Sequence, residues 1–177
     1  MKRILCSTSL AALLLPAMLG LTSCETCKPG KPGPITSFPI QVALSPTLQG
    51  KAVTVDVVGV NKQNRERWEA YSMTKYWKDG DPMRTSATKK TLDFTSTSSL
   101  TQTLPLADSA WAQWKSQAVT HIFVLVDLPG VHNDMVGSQD ARRQMLSLDM
   151  CDWPKGTKEL KVIITEGGPQ VTPLQGK

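Results

Sequence analysis

Apolar and polar residues alternate with a period of two over much of this chain, the signature of strands with one face in a core. Phe38, Ile40, Val42 and Leu44 form the first such series. Ser45-Pro46 and Gly50 then mark a turn. Val53, Val55 and Val57 share one face of a β-branched run over 52–60, the clearest strand of the sequence. Between 64 and 77 the period changes: Trp68, Tyr71, Lys75 and Tyr76 fall on one helical face and Asn64 suits an N-cap, so a short amphipathic helix of about three turns is predicted. Its aromatics pin it to a sheet more readily than they form a ligand cage. Lys78-Asp79-Gly80-Asp81-Pro82 ends it.

Downstream, Leu92 and Phe94 alternate, as do Leu100, Gln102 and Leu104. A single helical turn is expected over 108–115, around Trp111 and Trp114. The continuous apolar run 121–128, closed by Pro129-Gly130, reads as a central buried strand. Alternation resumes over 142–150, where Arg142-Arg143 suggests a solvated strand face, and over 158–165 with Leu160, Val162 and Ile164. Gly167-Gly168-Pro169 leads to an edge segment at 170–172. Six or seven short strands with one helix imply a mostly β fold, a two-sheet β-sandwich.

The N-terminus follows a different grammar. Met1-Lys2-Arg3 is cationic, an apolar run covers about 10–21, and Leu21-Thr22-Ser23-Cys24 follows. A basic start and an apolar stretch too short to span a bilayer comfortably describe a secretory signal. Small residues before a cysteine resemble the bacterial lipobox, in which the thiol carries a diacylglyceryl group after cleavage. That resemblance divides the chain into a signal peptide (1–23), a lipidated Cys24 with a Pro/Gly tether (24–37), and a sandwich domain (38–177). The tether, rich in Pro29, Gly30, Pro32, Gly33 and Pro34, is expected to be extended and solvated, reaching roughly 40 Å. Glu25 follows the cysteine where Asp would favour inner-membrane retention, which leans the localisation towards the outer membrane, facing the periplasm.

Composition narrows the function. Hydrophobic residues make up 40% of the chain, too many for a disordered tail. The net charge of +5 falls to +3 once Lys2 and Arg3 leave with the signal. No Lys/Arg stripe with interleaved aromatics argues for nucleic acid. Of four cysteines, Cys6 is lost with the signal and Cys24 takes the lipid. Cys24 and Cys27 have C-x-x-C spacing, but a lipid thioether cannot cycle. Cys27 and Cys151 remain, as a disulfide in an oxidising compartment or as two separate thiols.

Catalytic signatures are missing: there is no G-x-S-x-G elbow, H-E-x-x-H or P-loop. The best chemical cluster is Asp127, His132 and Asp134, which could hold a metal or act as an oriented base. With two histidines in the whole chain and no paired ligand spacing, the expectation is no enzyme, no cofactor and no metal.

Lipobox, tether, a first strand ending near Leu44-Ser45-Pro46, a turn with Gly50, a Val-rich second strand and an aromatic helix together resemble the TssJ-type lipoproteins of the bacterial type VI secretion system. The strands at 121–128, 142–150 and 158–165 continue the parallel. The resemblance implies a non-catalytic scaffold that holds an envelope protein partner through the loop between the first two strands. Here that loop is Ser45, Pro46, Thr47, Leu48, Gln49, Gly50 and Lys51. The competing reading is an envelope lipoprotein with a small-ligand, metal or hydrolytic site at Asp127, His132 and Asp134.

Overall fold

The computed structural model describes Cys27, residues 31–173 and residues 175–176. The expected signal peptide (1–23), the expected lipid-attachment residue Cys24 and the first part of the expected tether lie outside the described residues. Within them, eight strands form two four-stranded sheets. β1 (Ile40–Leu44), β4 (Thr101–Leu104), β7 (Leu160–Thr165) and β8 (Gly168–Thr172) make one sheet, in the order β4-β1-β7-β8. β2 (Val53–Asn61), β3 (Lys89–Phe94), β5 (Val119–Val126) and β6 (Arg143–Ser147) make the other, in the order β3-β2-β5-β6. β1 and β7 run parallel, and the other pairs are antiparallel.

The alternating apolar series meet between the sheets. Ile40, Val42, Leu160, Val162 and Ile164 from one side pack with Val53, Val55, Val57, Ile122, Val124 and Val126 from the other. Each of these Val55-type residues is withdrawn from water, and full burial of such a side chain contributes about 1.5–3 kcal/mol. The fold is therefore the two-sheet sandwich that the period-two pattern predicts.

The helical expectation needs correction. In place of one helix over 64–77 there are α1 (Arg65–Ala70) and α2 (Met73–Tyr76), separated at Tyr71-Ser72. Tyr71 is extended, and the Ser72 hydroxyl accepts from the Lys75 amide, opening a new helix. Arg143 supplies the other half of the reason. Its guanidinium donates to the carbonyls of Glu69 and Tyr71, capping the end of α1 with a cation. Two further helices follow, α3 (Pro82–Ser86), capped by Asp81, and α4 (Ser109–Ser116), capped by Asp108.

α1, α2 and α3 cover the outer face of the second sheet. Trp68, Met73, Tyr76 and Met83 pack there on Val58, Val60, Phe123 and Leu125. β2 and β5 are thus buried on both faces. Arg142 and Arg143 are likewise buried, at 2% and 3% exposure, where a solvated face was expected. α4 lays Trp114 against the backbone of β2. A Cβ at Gly59 would sit 2.3 Å from the Trp114 ring, so glycine is required for that approach.

Candidate functional site

The strand register sorts the connections into two poles. Leu44 pairs with Ile164, so the β1–β2 loop and the β7–β8 turn leave the sandwich together. Lys51 reaches Glu166 across them at 3.1 Å. Val126 pairs with Val55, and the Asp127 amide bonds to the Thr54 carbonyl, so the 127–142 loop starts from this end too. Phe94 pairs with Val53, which adds the 95–100 turn. We call this the loop pole. At the other end, Asn61 pairs with Val119, Leu104 pairs with Ile40, and the Thr36 amide donates to the Leu148 carbonyl. The chain's N-terminal entry and Cys151 therefore belong to that end, the entry pole. Strands of this length separate the poles by about 25 Å.

At the loop pole, residues 46–48 of the expected partner loop form one turn of 3-10 helix. Pro46, Thr47, Gln49, Gly50 and Lys51 are exposed, and Ser45 is half-buried with its hydroxyl 2.9 Å from that of Thr47. Leu48 is different. It is 1% exposed and belongs to the core between the sheets, so the loop's large apolar residue plugs the sandwich and is not displayed. Large apolar side chains are exposed on the 127–142 loop at Met135 and Val136, but Val136 lies beside Glu69, Phe123 and Met145, on the helix-covered face of the second sheet and away from the 45–51 loop.

The Asp127, His132 and Asp134 group does not converge. The Asp134 carboxylate accepts from the Thr74 amide at 2.8 Å, from the Ser72 hydroxyl, and from Arg142 Nη2 at 2.7 Å. His132 enters the same network through its backbone carbonyl, which accepts from Thr74 Oγ1. Its side chain is exposed, as is that of Asp127. Among the described residues no three His, Cys, Asp or Glu side chains are grouped as metal ligands would be.

What gathers this loop is a residue pair that the sequence reading did not single out. Arg142 Nε and Nη2 bond to the two carboxylate oxygens of Asp140 at 2.9 and 2.8 Å, and both side chains are buried. The Met135 amide also donates to Asp140, and Arg142 Nη2 reaches the Asn133 carbonyl. Burial works against the charge of Asp140, but the bonds and charge of Arg142 outweigh it and hold the carboxyl below its usual range. Asp134 is held low in the same sense: burial opposes its charge, and the bonds from Ser72, Thr74 and Arg142 prevail. The available signal was the spacing Asp140-Ala141-Arg142 directly before a strand, which sets opposite charges two residues apart.

A second buried carboxylate, Asp56, lies in the middle of β2 under the helices. It accepts from Tyr76 Oη at 2.9 Å, Arg84 Nε at 2.8 Å and Thr91 Oγ1 at 2.6 Å. Arg84 also stacks over Trp77, 4.5 Å from the ring centre. Burial pushes the Tyr76 hydroxyl up, and the adjacent Asp56 pushes it further, so it stays a donor. Its sequence signal was a lone carboxylate inside Val55-Asp56-Val57-Val58.

At the entry pole, Cys27 and Cys151 are joined by a disulfide, with their Cα atoms 5.4 Å apart. The later part of the expected tether is not free in solvent. Gly33, Pro34 and Thr36 bond to Asp149, Met150 and Leu148, and Ile35 bridges Asp149.

No protein-family profile matches this chain, and no curated protein matches it in sequence. Solved structures do resemble it. A chain of a type VI membrane complex is similar at 14% identity and a TM-score of 0.47, over 79% of this chain and 100% of that one. The type VI secretion lipoprotein TssJ1 from Pseudomonas aeruginosa is similar at 10% identity and a TM-score of 0.47, over 81% of this chain and 100% of its own. Serratia marcescens Lip, a membrane-bound component of the type VI secretion system, is similar at 10% identity and a TM-score of 0.43, over 77% and 96%. The likeness is one of fold.

Proposed function

We propose that this chain is an envelope lipoprotein, lipid-attached through Cys24, that serves as a non-catalytic docking component of a type VI secretion membrane complex. The observation that carries this reading is the division into poles. The end where the chain enters from the lipobox side is clamped by Cys27–Cys151, and the loops that could meet a partner leave from the opposite end. Rigid sheets that present loops away from an anchor suit capture of a protein. The lipobox and the order of elements in the sequence supply the secretion-system assignment and the outer-membrane, periplasm-facing location.

The partner surface proposed is the exposed part of 45–51, chiefly Thr47 and Gln49. Against a chemical site stands the commitment of Asp134 to Arg142, Ser72 and Thr74, which leaves His132 and Asp127 without it.

The test is co-purification of an inner-membrane partner from native envelope. Thr47→Arg with Gln49→Arg should weaken recovery of that partner at an unchanged melting temperature. Asp127→Ala and His132→Ala should leave it intact. Loss of secretion from the latter pair, with the loop variant behaving as wild type, would overturn the docking reading. Fatty-acid labelling that persists in Cys24→Ser would overturn the anchor.

A further inference from the structure

We infer that the Cys27–Cys151 disulfide seats the entry pole directly on the lipid surface, with Ile35 and Met150 as its apolar contacts. The inference rests on the proposed lipid attachment at Cys24.

Chain length sets the geometry. A free tether from the lipidated cysteine to the first strand would reach roughly 40 Å. The disulfide fixes the domain at Cys27 instead, three positions from Cys24. Three extended residues span about 10 Å. The chain beyond Cys27 is then bounded by the bridge and cannot lengthen the leash. A leash this short leaves no space for another folded protein between the entry pole and the headgroups.

The clamp is reinforced beyond the sulfurs. The Gly33 amide donates to Asp149 Oδ2 at 2.7 Å, the Met150 amide to the Pro34 carbonyl at 3.0 Å, and the Thr36 amide to the Leu148 carbonyl at 2.8 Å. A Cβ at Gly33 would fall 2.3 Å from Cys151 Sγ, so only glycine lets the segment pass over the bridge.

The surface around this clamp has the chemistry of a membrane interface. Ile35 is 53% exposed and Met150 is 40% exposed, on the two paired segments. Beside Ile35 opens a cleft of about 370 Å³, lined also by Trp111, Ala118 and Leu148. Lys31, just before the docked segment, and Lys155 and Lys158, on the connection from 152 to β7, are exposed at the same pole and can place their ammonium groups among lipid phosphates while their stems lie along apolar surface. The nearby acids are mostly occupied or withdrawn: Glu159 pairs with Lys161 at 3.1 Å, Asp149 binds the Gly33 amide, and Asp152 is half-buried.

A benzophenone amino acid placed at Met150 in one full-length protein, and at Thr47 in another, tests the orientation in intact envelopes. Irradiation should give lipid adducts at Met150 at least several-fold more abundant than at Thr47. Fatty-acid labelling of the same proteins separates the two ideas. A lipidated protein with no Met150 adduct, or with equal adducts at both positions, overturns this inference alone. A protein without fatty acid overturns the anchor reading and this inference with it. In Cys27→Ser with Cys151→Ser, the freed leash should reduce the Met150 adduct several-fold, and an unchanged yield would refute the role of the bridge. The comparison of Met150 with Thr47 does not depend on the stability of that variant.

Discussion

Arg142 grips Asp140 two-handed in the interior, Nε to one carboxylate oxygen at 2.9 Å and Nη2 to the other at 2.8 Å, with both side chains out of contact with water. Two residues apart in the chain, they close the long connection between β5 and β6 on itself. Through Asp134 and Thr74 the same guanidinium ties that connection to α2.

Removing one partner should be severe. Asp140→Ala leaves a buried guanidinium with less compensation, a loss of about 3–5 kcal/mol. Asp140→Ala combined with Arg142→Met removes both charges and should be less destabilised than Asp140→Ala alone. Urea titrations of the three proteins check the ordering, and a more damaging double variant would mean that Arg142 is held mainly by its other contacts.

The same carboxylates predict an acid-sensitive fold. Asp134 and Asp140 both have folded-state values below the ordinary range, so the unfolded chain takes up protons first as pH falls. Their contribution is complete above the unfolded value of about 3.9 and declines as pH drops through the lower folded values. Melting temperature should therefore fall below about pH 4, and Asp134→Asn should flatten that slope. Thermal melts between pH 7 and pH 2 measure it.

Tyr76→Phe deletes one of three donors to Asp56 while leaving Arg84 and Thr91 in place. A bond to a charged acceptor contributes about 1.5–3 kcal/mol, and the lower end is expected here because two donors remain. The phenyl ring keeps its packing on Trp68. Chemical denaturation should show the loss without a change in the circular dichroism of the native state.

Leu48 should behave as a core residue. Leu48→Ala is expected to cost about 2–5 kcal/mol, and Leu48→Asp to abolish folding. Thr47→Arg, one position away and exposed, should leave the melting temperature unchanged. A stable Leu48→Asp protein would mean that the loop, and not the core, owns this side chain.

The bridge joins Cys27 and Cys151 across a sequence separation of 124, nearly the whole domain. On the chain-entropy account it stabilises by up to about 4–5 kcal/mol. Mild reduction should lower the melting temperature, and peptide mapping without reductant should recover the linked pair. Gly33→Ala should make the bridge easier to reduce, because its methyl group would displace Cys151 Sγ.

The sequence by itself determined the sandwich, because period-two alternation records which side of each strand meets a core, and that is a local property. Phe38 to Leu44, Val53 to Val57 and Leu160 to Ile164 all kept the face that alternation assigned. The sequence also held the cysteine pair as one of two options. Tertiary structure decided what covers the remaining surfaces. Whether Asp56, Arg142 and Arg143 face solvent depends on α1, α2 and α3, whose contacts come from distant parts of the chain. Leu48 turns inward because the end of the sandwich has a space for it, which the turn residues Ser45-Pro46 do not reveal. The helical pattern over 64–77 is broken by the Ser72 cap, which is local, together with a guanidinium from β6, Arg143, more than seventy residues from Tyr71 in sequence. Local pattern reports propensity. The partner that satisfies or interrupts it is chosen only when the sheets have packed.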